Sequence, residues 1–218
     1  MILNFRRTAL TLAHLVVFVS LVSCNNSSNT NSDSAIPKED NSGVTTNRSL
    51  MVEALIKLKT TLASKEKEKI AGIFDFPLSD SIQMYTESEA YQKEREQNGD
   101  KVSKELFLKY FEEISDDIQM EEVNELFKHI NVERLIKQDK LDYENIIATE
   151  PCYSFYSIEI KNNLITLSVG SGSNKNYKSK VSSDEVPENS SQFCESVLWW
   201  IFSFNSGKLE LVSINGAG

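Results

Sequence analysis

Between residues 48 and 135 apolar positions recur every three or four residues, and after residue 151 they alternate with polar ones. That switch of period predicts helices first and strands last. Leu50, Met51, Ala54, Leu55, Leu58 and Leu62 mark one amphipathic helix. Ser64 is the expected N-cap of a short second helix, with Glu66 near its positive end and Ile70, Ile73 and Phe74 on its apolar side. Pro77 ends the helical pattern within Phe74-Asp75-Phe76-Pro77-Leu78. Residues 79–102 are polar and read as loop with some helix around 87–96, broken at Gly99-Asp100. Ser103 is the next expected N-cap, ahead of Leu106, Leu108, Tyr110 and Phe111. A further helical run uses Ile118, Val123, Leu126, Phe127, Ile130 and Leu135.

The strand-like runs 153–160 and 164–169 flank Asn162-Asn163, two residues that tolerate positive φ, which predicts a tight hairpin. Residues 170–191 are polar and read as a long loop. A second hairpin joins 193–204 to 209–214 across Asn205-Ser206-Gly207-Lys208. This order is α+β, with N-terminal helices expected to pack on a curved antiparallel sheet. Residues 48–218 suit one domain with a single core.

Ahead of that domain the pattern is of two other kinds. Arg6 and Arg7 precede a short apolar run, 9–22, interrupted by Thr11, His14 and Ser20 and too short for a comfortable membrane span. The run ends in Leu21-Val22-Ser23-Cys24, which resembles the lipobox of bacterial lipoproteins. The resemblance implies that 1–23 is a signal peptide and that Cys24 becomes the lipidated N-terminus. Ordinary secretory cleavage after Ser23 is disfavoured by Leu21 at the −3 position. An uncleaved anchor is the remaining alternative. Residues 25–47 are largely Asn, Ser, Thr and Asp, which cannot offset the entropy of ordering, so 24–47 is expected to be a disordered tether. Asn25, where an aspartate would signal inner-membrane retention in some Gram-negative bacteria, points to the outer membrane. The expected location is the cell envelope, with attachment through acyl chains such as palmitate.

Charge narrows the partners. The chain has 23 basic and 32 acidic side chains, a net of −9, and loss of Arg6 and Arg7 with the signal leaves −11. Such a balance excludes nucleic acid, where phosphate neutralisation supplies the affinity, and excludes electrostatic docking on anionic lipid. Cys152 and Cys194 form an even pair in segments read as strands, so a disulfide is expected in an oxidising compartment. Two inert thiols, or a reactive one, are the alternatives.

The helix-turn-helix opening into Phe74-Asp75-Phe76-Pro77-Leu78 resembles the start of NTF2-like (cystatin-superfamily-shaped) domains. So does the ending, Trp199-Trp200-Ile201-Phe202, a Gly207-Lys208 turn, then Leu209-Glu210-Leu211-Val212. The resemblance covers roughly residues 50–215 by element order. It implies a cone whose sheet and helices enclose a pocket, in a family that includes enzymes, ligand binders and structural modules. No Asp-His or Tyr-Asp set matches the acid–base sites of its enzymatic members.

Little catalytic chemistry remains. His129 is the only histidine after the signal and lies near a helix end, where a cation meets the negative dipole. No Gly-x-Ser-x-Gly elbow and no Cys/His zinc cluster is present. Gly170-Ser171-Gly172-Ser173 lacks the Lys-Ser/Thr of a phosphate loop and reads as the start of a flexible loop. The acids Asp116, Asp117, Glu121, Glu122 and Glu125, and Asp139, Asp142 and Glu144, do not follow a calcium-loop spacing. They read as solvated helix faces, with Asp116-Asp117 at a helix start. Glu159, on a strand with Tyr153, Phe155 and Tyr156, is the one acid that could face a pocket and serve there as general acid or base; alternation offers it an outward, solvated position equally well. Alternation puts Trp199 and Trp200 on opposite sheet faces, one under the helices.

The expected function is therefore non-enzymatic binding of a protein partner or a small apolar or saccharide-like ligand, without a cofactor or metal. Trp199 or Trp200, with Tyr153 and Tyr156, would form the contact surface. The alternatives are a small enzyme using Glu159 and a purely structural envelope lipoprotein.

Overall fold

The computed structural model describes residues 42–218 except 83, 176 and 178–193, with side chains described from residue 47 onward. The signal 1–23, Cys24, the tether as far as residue 41 and most of the expected 170–191 loop lie outside the described residues. Within 40–218, helices come first and a sheet follows.

Helix α1 (Ser42–Ala63) begins inside the segment expected to be tether, six residues before the predicted domain start. Its stripe Met51, Val52, Leu55, Leu58 and Leu62 is buried, whereas Leu50 is 44% exposed, one step off the inward face. Arg48 anchors the helix by donating to the carbonyls of Leu135, at 2.8 Å, and Gln138, at 3.0 Å, and by pairing with Asp139. Lys65 adopts φ 54°, so the chain turns and α2 (Lys67–Ala71) starts after Glu66 rather than Ser64. Ser64 Oγ instead accepts from the Glu66 amide at 3.3 Å. Helix α3 (Glu89–Gln97) is capped by Ser88 and stops at Gly99 and Asp100, both at positive φ.

Ser103 caps α4 (Lys104–Lys109), its hydroxyl accepting from the Leu106 amide at 3.2 Å. Helix α5 (Phe111–Asp117) follows, then α6 (Met120–His129) after Gln119 at φ 51°. The Asp116-Asp117 pair therefore ends a helix instead of starting one. Asp117 is held there because its carboxylate accepts the Tyr85 amide, at 2.7 Å, from a distant loop. A 3-10 turn, Val132–Ile136, leads into the sheet.

Five antiparallel strands run in sequence order: β1 (Lys140–Asn145), β2 (Cys152–Lys161), β3 (Leu164–Ser173), β4 (Ser196–Asn205) and β5 (Lys208–Ala217). The hairpin turns are Asn162-Asn163, with Asn162 at φ 56°, and Ser206-Gly207, both at positive φ. Strand β1 occupies the acid-rich stretch that read as helix face, because Leu141 and Tyr143 alternate inward opposite Ile158 and Tyr156. β3 carries Gly170 to Ser173 in regular pairing, so this stretch is strand, not loop. At the far side of β5, Ile82 bridges Ile214 in parallel, and Ser81 Oγ donates to the Val212 carbonyl at 2.6 Å.

One core joins the helices to the inward sheet face. Trp200 and Phe202 are 0% exposed, and Trp200 lies 6.2 Å from Phe74, which in turn lies 5.0 Å from Phe107. The indole nitrogen of Trp200 donates to the Ile118 carbonyl at 3.0 Å, so its one polar atom is satisfied inside the core. Among the described residues no helix is long and apolar enough to cross a membrane.

Candidate functional site

The outward face of the sheet collects most of the side chains proposed for binding that the core does not absorb. Alternation on β2 sends Tyr156, Ile158 and Ile160 inward and leaves Tyr153, Phe155, Ser157 and Glu159 outward. Strand register then fixes the neighbours. Ser157, Ser168, Trp199 and Asn215 form one row across β2 to β5, with Asp142 at its β1 end. Phe155, Gly170, Val197 and Ala217 form the next row, and Tyr153 with Gly172 the one beyond. Trp199, Phe155 and Val197 are half-buried, and the core cluster takes its strand residues from the opposite face.

Two glycines shape this surface. A Cβ on Gly170 would lie 2.7 Å from the Phe155 ring and would also collide with the Ser196 carbonyl oxygen. A Cβ on Gly172 would lie 2.7 Å from the Tyr153 ring. Both rings therefore lie against bare backbone across the strand pair, a close approach that only glycine permits. Tyr153, Phe155, Gly172, Val197 and Ala217 line an open hollow of about 530 Å³ at this end of the sheet. Ser171, Glu195 and Ser196 complete its lining, so aromatic and aliphatic groups meet polar ones there, and Ser168 and Asn215 stand in the adjoining row, in which Ser157 is buried. Glycine spacing at 170 and 172 within an alternating strand was the sequence signal for this feature.

The four aromatic residues expected to form one contact surface divide between the two faces. Trp199 and Tyr153 are outward; Trp200 and Tyr156 are inward and at most 5% exposed. Burial removes Trp200 and Tyr156 from any contact surface: Trp200 fills the core, and Tyr156 Oη donates to Glu122 Oε2 of α6 at 2.9 Å. Burial first, and the Glu122 carboxylate next, push the Tyr156 hydroxyl up to about 12. Glu159 is exposed on the outward face opposite Lys140, the solvated one of its two expected positions, and borders none of these hollows.

Cys152 and Cys194 are disulfide-bonded, with Cα atoms 5.6 Å apart, and close the base of β2 onto the approach to β4. His129 ends α6 and stacks on Tyr143, ring centroids 4.3 Å apart and planes 7° from parallel, with Tyr156 5.6 Å away. Asp117, half-buried, is the last residue of α5; burial raises its pKa, against the Tyr85 amide, which lowers it. Among the described residues no three His, Cys, Asp or Glu side chains converge as metal ligands. Compared with known proteins, the chain matches no family model, no curated protein and no solved structure.

Proposed function

We propose that this chain is a lipid-anchored binding protein of the bacterial cell envelope, attached through Cys24 and facing a saccharide chain with the outward side of its sheet. The lipobox resemblance at Leu21-Val22-Ser23-Cys24 supports the anchor, and Asn25 supports the outer membrane. The order of helices and strands is in keeping with the NTF2-like resemblance; the cone belongs to this proposal.

The observation that carries the binding reading is the row Ser168, Trp199 and Asn215, beside the flattened rings of Phe155 and Tyr153. A sugar ring has an apolar C–H face that stacks on an aromatic ring and hydroxyls at its rim that pair with Ser and Asn side chains. The Trp199 row carries no charged side chain between β2 and β5; the charged residues of this face are Lys140, Asp142 and Glu144 on β1, Glu159 and Lys161 towards the turn end of β2, and Glu210 on β5, with Glu195 at the hollow. Uncharged polyhydroxylated ligands fit that distribution better than phosphates or nucleic acids.

The test uses the full-length protein and triacetylchitotriose as probe. Trp200 is sealed in the core, so a saturable tryptophan fluorescence change on adding the sugar reports on Trp199. Trp199→Ala should weaken binding at least about tenfold while leaving far-UV circular dichroism unchanged. Absence of a saturable response to this and to glucose-based oligosaccharides would remove the saccharide reading. Photo-crosslinking from position 199 in cells would then ask whether an envelope protein occupies the face. Lipidation is read separately, from the acyl mass on an N-terminal peptide starting at Cys24 and its loss in Cys24→Ala.

A further inference from the structure

A second hollow lies among the helices, remote in register from the sheet face and independent of the saccharide reading. It has a volume of about 400 Å³ and sits where the end of α1 and the start of α2 meet the α5–α6 junction. Leu62, Ile70, Phe111 and Met120, all buried, line its apolar part. Gln119 at φ 51° turns the chain between α5 and α6, so that residues of both helices border one space. The size is within the range of small-molecule sites, roughly 300–1,000 Å³.

Asn124 is the informative residue. It is 9% exposed and lines the hollow, yet its side-chain amide makes no hydrogen bond among the described residues. Its amide atoms are not sealed from water, so they open into the hollow, where a ligand group can replace water as their partner. The charges around the mouth then select the partner. Glu112, Asp116, Glu121 and Glu122 line the hollow with one lysine, Lys65, which pairs with Glu121 at 3.2 Å; Lys128, outside the lining, also reaches Glu121, at 3.9 Å. Glu122 accepts the Tyr156 hydroxyl, while Glu112 and Asp116, one helical turn apart on α5, make no ion pair among the described residues. Like charges at that spacing repel, and a cation between them relieves the repulsion.

We infer that this hollow is a binding site for a small organic cation: an apolar body against Leu62, Ile70, Phe111 and Met120, and an ammonium group between the mouth carboxylates and the Asn124 carbonyl oxygen. A primary ammonium offers N–H donors that the amide oxygen and carboxylates accept, and an alcohol of the same shape lacks the charge.

The experiment is isothermal titration of the full-length protein with 2-phenylethylammonium, 2-phenylethanol and 3-phenylpropionate. The cation should bind saturably and at least about tenfold tighter than the alcohol, with the carboxylate weaker still. Asn124→Leu should lower affinity for the cation at least about fivefold. Because position 124 is buried, the exposed pair Glu112→Gln with Asp116→Asn provides a second variant, which should lower affinity by at least about fivefold without touching the core. Lys65→Gln, which removes the mouth's positive charge, should raise affinity about twofold. Trp199→Ala should leave binding unchanged. The inference fails if none of the probes saturates, if the three bind alike, or if the paired α5 variant binds as wild type. It fails equally if Trp199→Ala abolishes the signal, which would put the probe on the sheet face.

Discussion

Tyr156 Oη donates to Glu122 Oε2 at 2.9 Å and so fastens the middle of β2 to the first turn of α6. Burial and that carboxylate hold the phenol's pKa up at about 12, against an ordinary 10.0. The protonated phenol is thus favoured more in the folded than in the unfolded chain. Its contribution to stability is complete below pH 10.0 and is lost as pH rises towards about 12. Tyr156→Phe should cost about 1–2 kcal/mol at neutral pH through the lost hydrogen bond. It should also shrink the drop in urea midpoint between about pH 9 and about pH 11. An equal drop in both proteins would mean that other groups govern the alkaline limit.

Asp117 has a consequence of the same sign, but in the acid range. Its raised pKa means that the folded chain holds the carboxyl proton more tightly than the unfolded chain. Stability from this group is therefore complete below its ordinary value of 3.8 and falls as pH rises through the higher folded value. Asparagine keeps an oxygen for the Tyr85 amide and carries no charge to desolvate. Asp117→Asn should raise the melting temperature at neutral pH, with the gain disappearing as pH approaches 3.8; thermal melts across that window decide it.

Gly170→Ala tests the floor of the sheet face. The added carbon meets the Phe155 ring and the Ser196 carbonyl, and the backbone partner cannot rotate away. A destabilisation of about 1–3 kcal/mol is expected, accompanied by displacement of Phe155 that weakens any ligand on Trp199. Gly99→Ala provides a contrast: a Cβ there meets nothing within 4 Å, and only its φ of 67° opposes the change. Its cost should be about 1 kcal/mol, with binding unaffected.

The Cys152–Cys194 bond closes a span of 42 residues across β2, β3 and the β3–β4 connection. The double change of both cysteines to alanine should lower stability by about 2–4 kcal/mol, mainly by freeing the unfolded chain. Reductant should shift the melt of the wild type and leave that of the variant in place. The oxidised protein should also be lighter by the two thiol hydrogens in denaturing mass spectrometry.

Much of this architecture was legible from period and local chemistry. The stripe from Met51 to Leu62, the Ser103 cap and the Asn162-Asn163 turn each depend on residues within a few positions, and each reads correctly. Strand β1 did not, because an edge strand with two inward residues among Lys140, Asp142 and Glu144 looks like a solvated helix face. The helix-ending role of Asp117 depends on Tyr85, 32 residues away, and no local pattern carries that. Alternation put Trp199 and Trp200 on opposite faces but could not say which was inward; that parity is set by packing against Phe74 and the Ile118 carbonyl. The sheet-face row needs the register of four strands, and the helical hollow needs the left-handed turn at Gln119 together with the burial of Asn124. Those are properties of assembled elements.

The short contact of Ser81 and Ile82 with β5 bears on how molecules of this chain meet one another. An open sheet offers two rows of unpaired amides and carbonyls, and each invites the strand of a neighbour. Here the β5 row is taken at Val212 and Ile214 by the chain's own loop, which leaves β1 as the side open to growth. That strand is six residues long and alternates Lys140, Asp142 and Glu144 towards solvent, a poor template for addition. Crowding many copies together should accordingly not lead to polymers by sheet extension, and loosening the Ser81–Val212 link is where such polymerisation would begin.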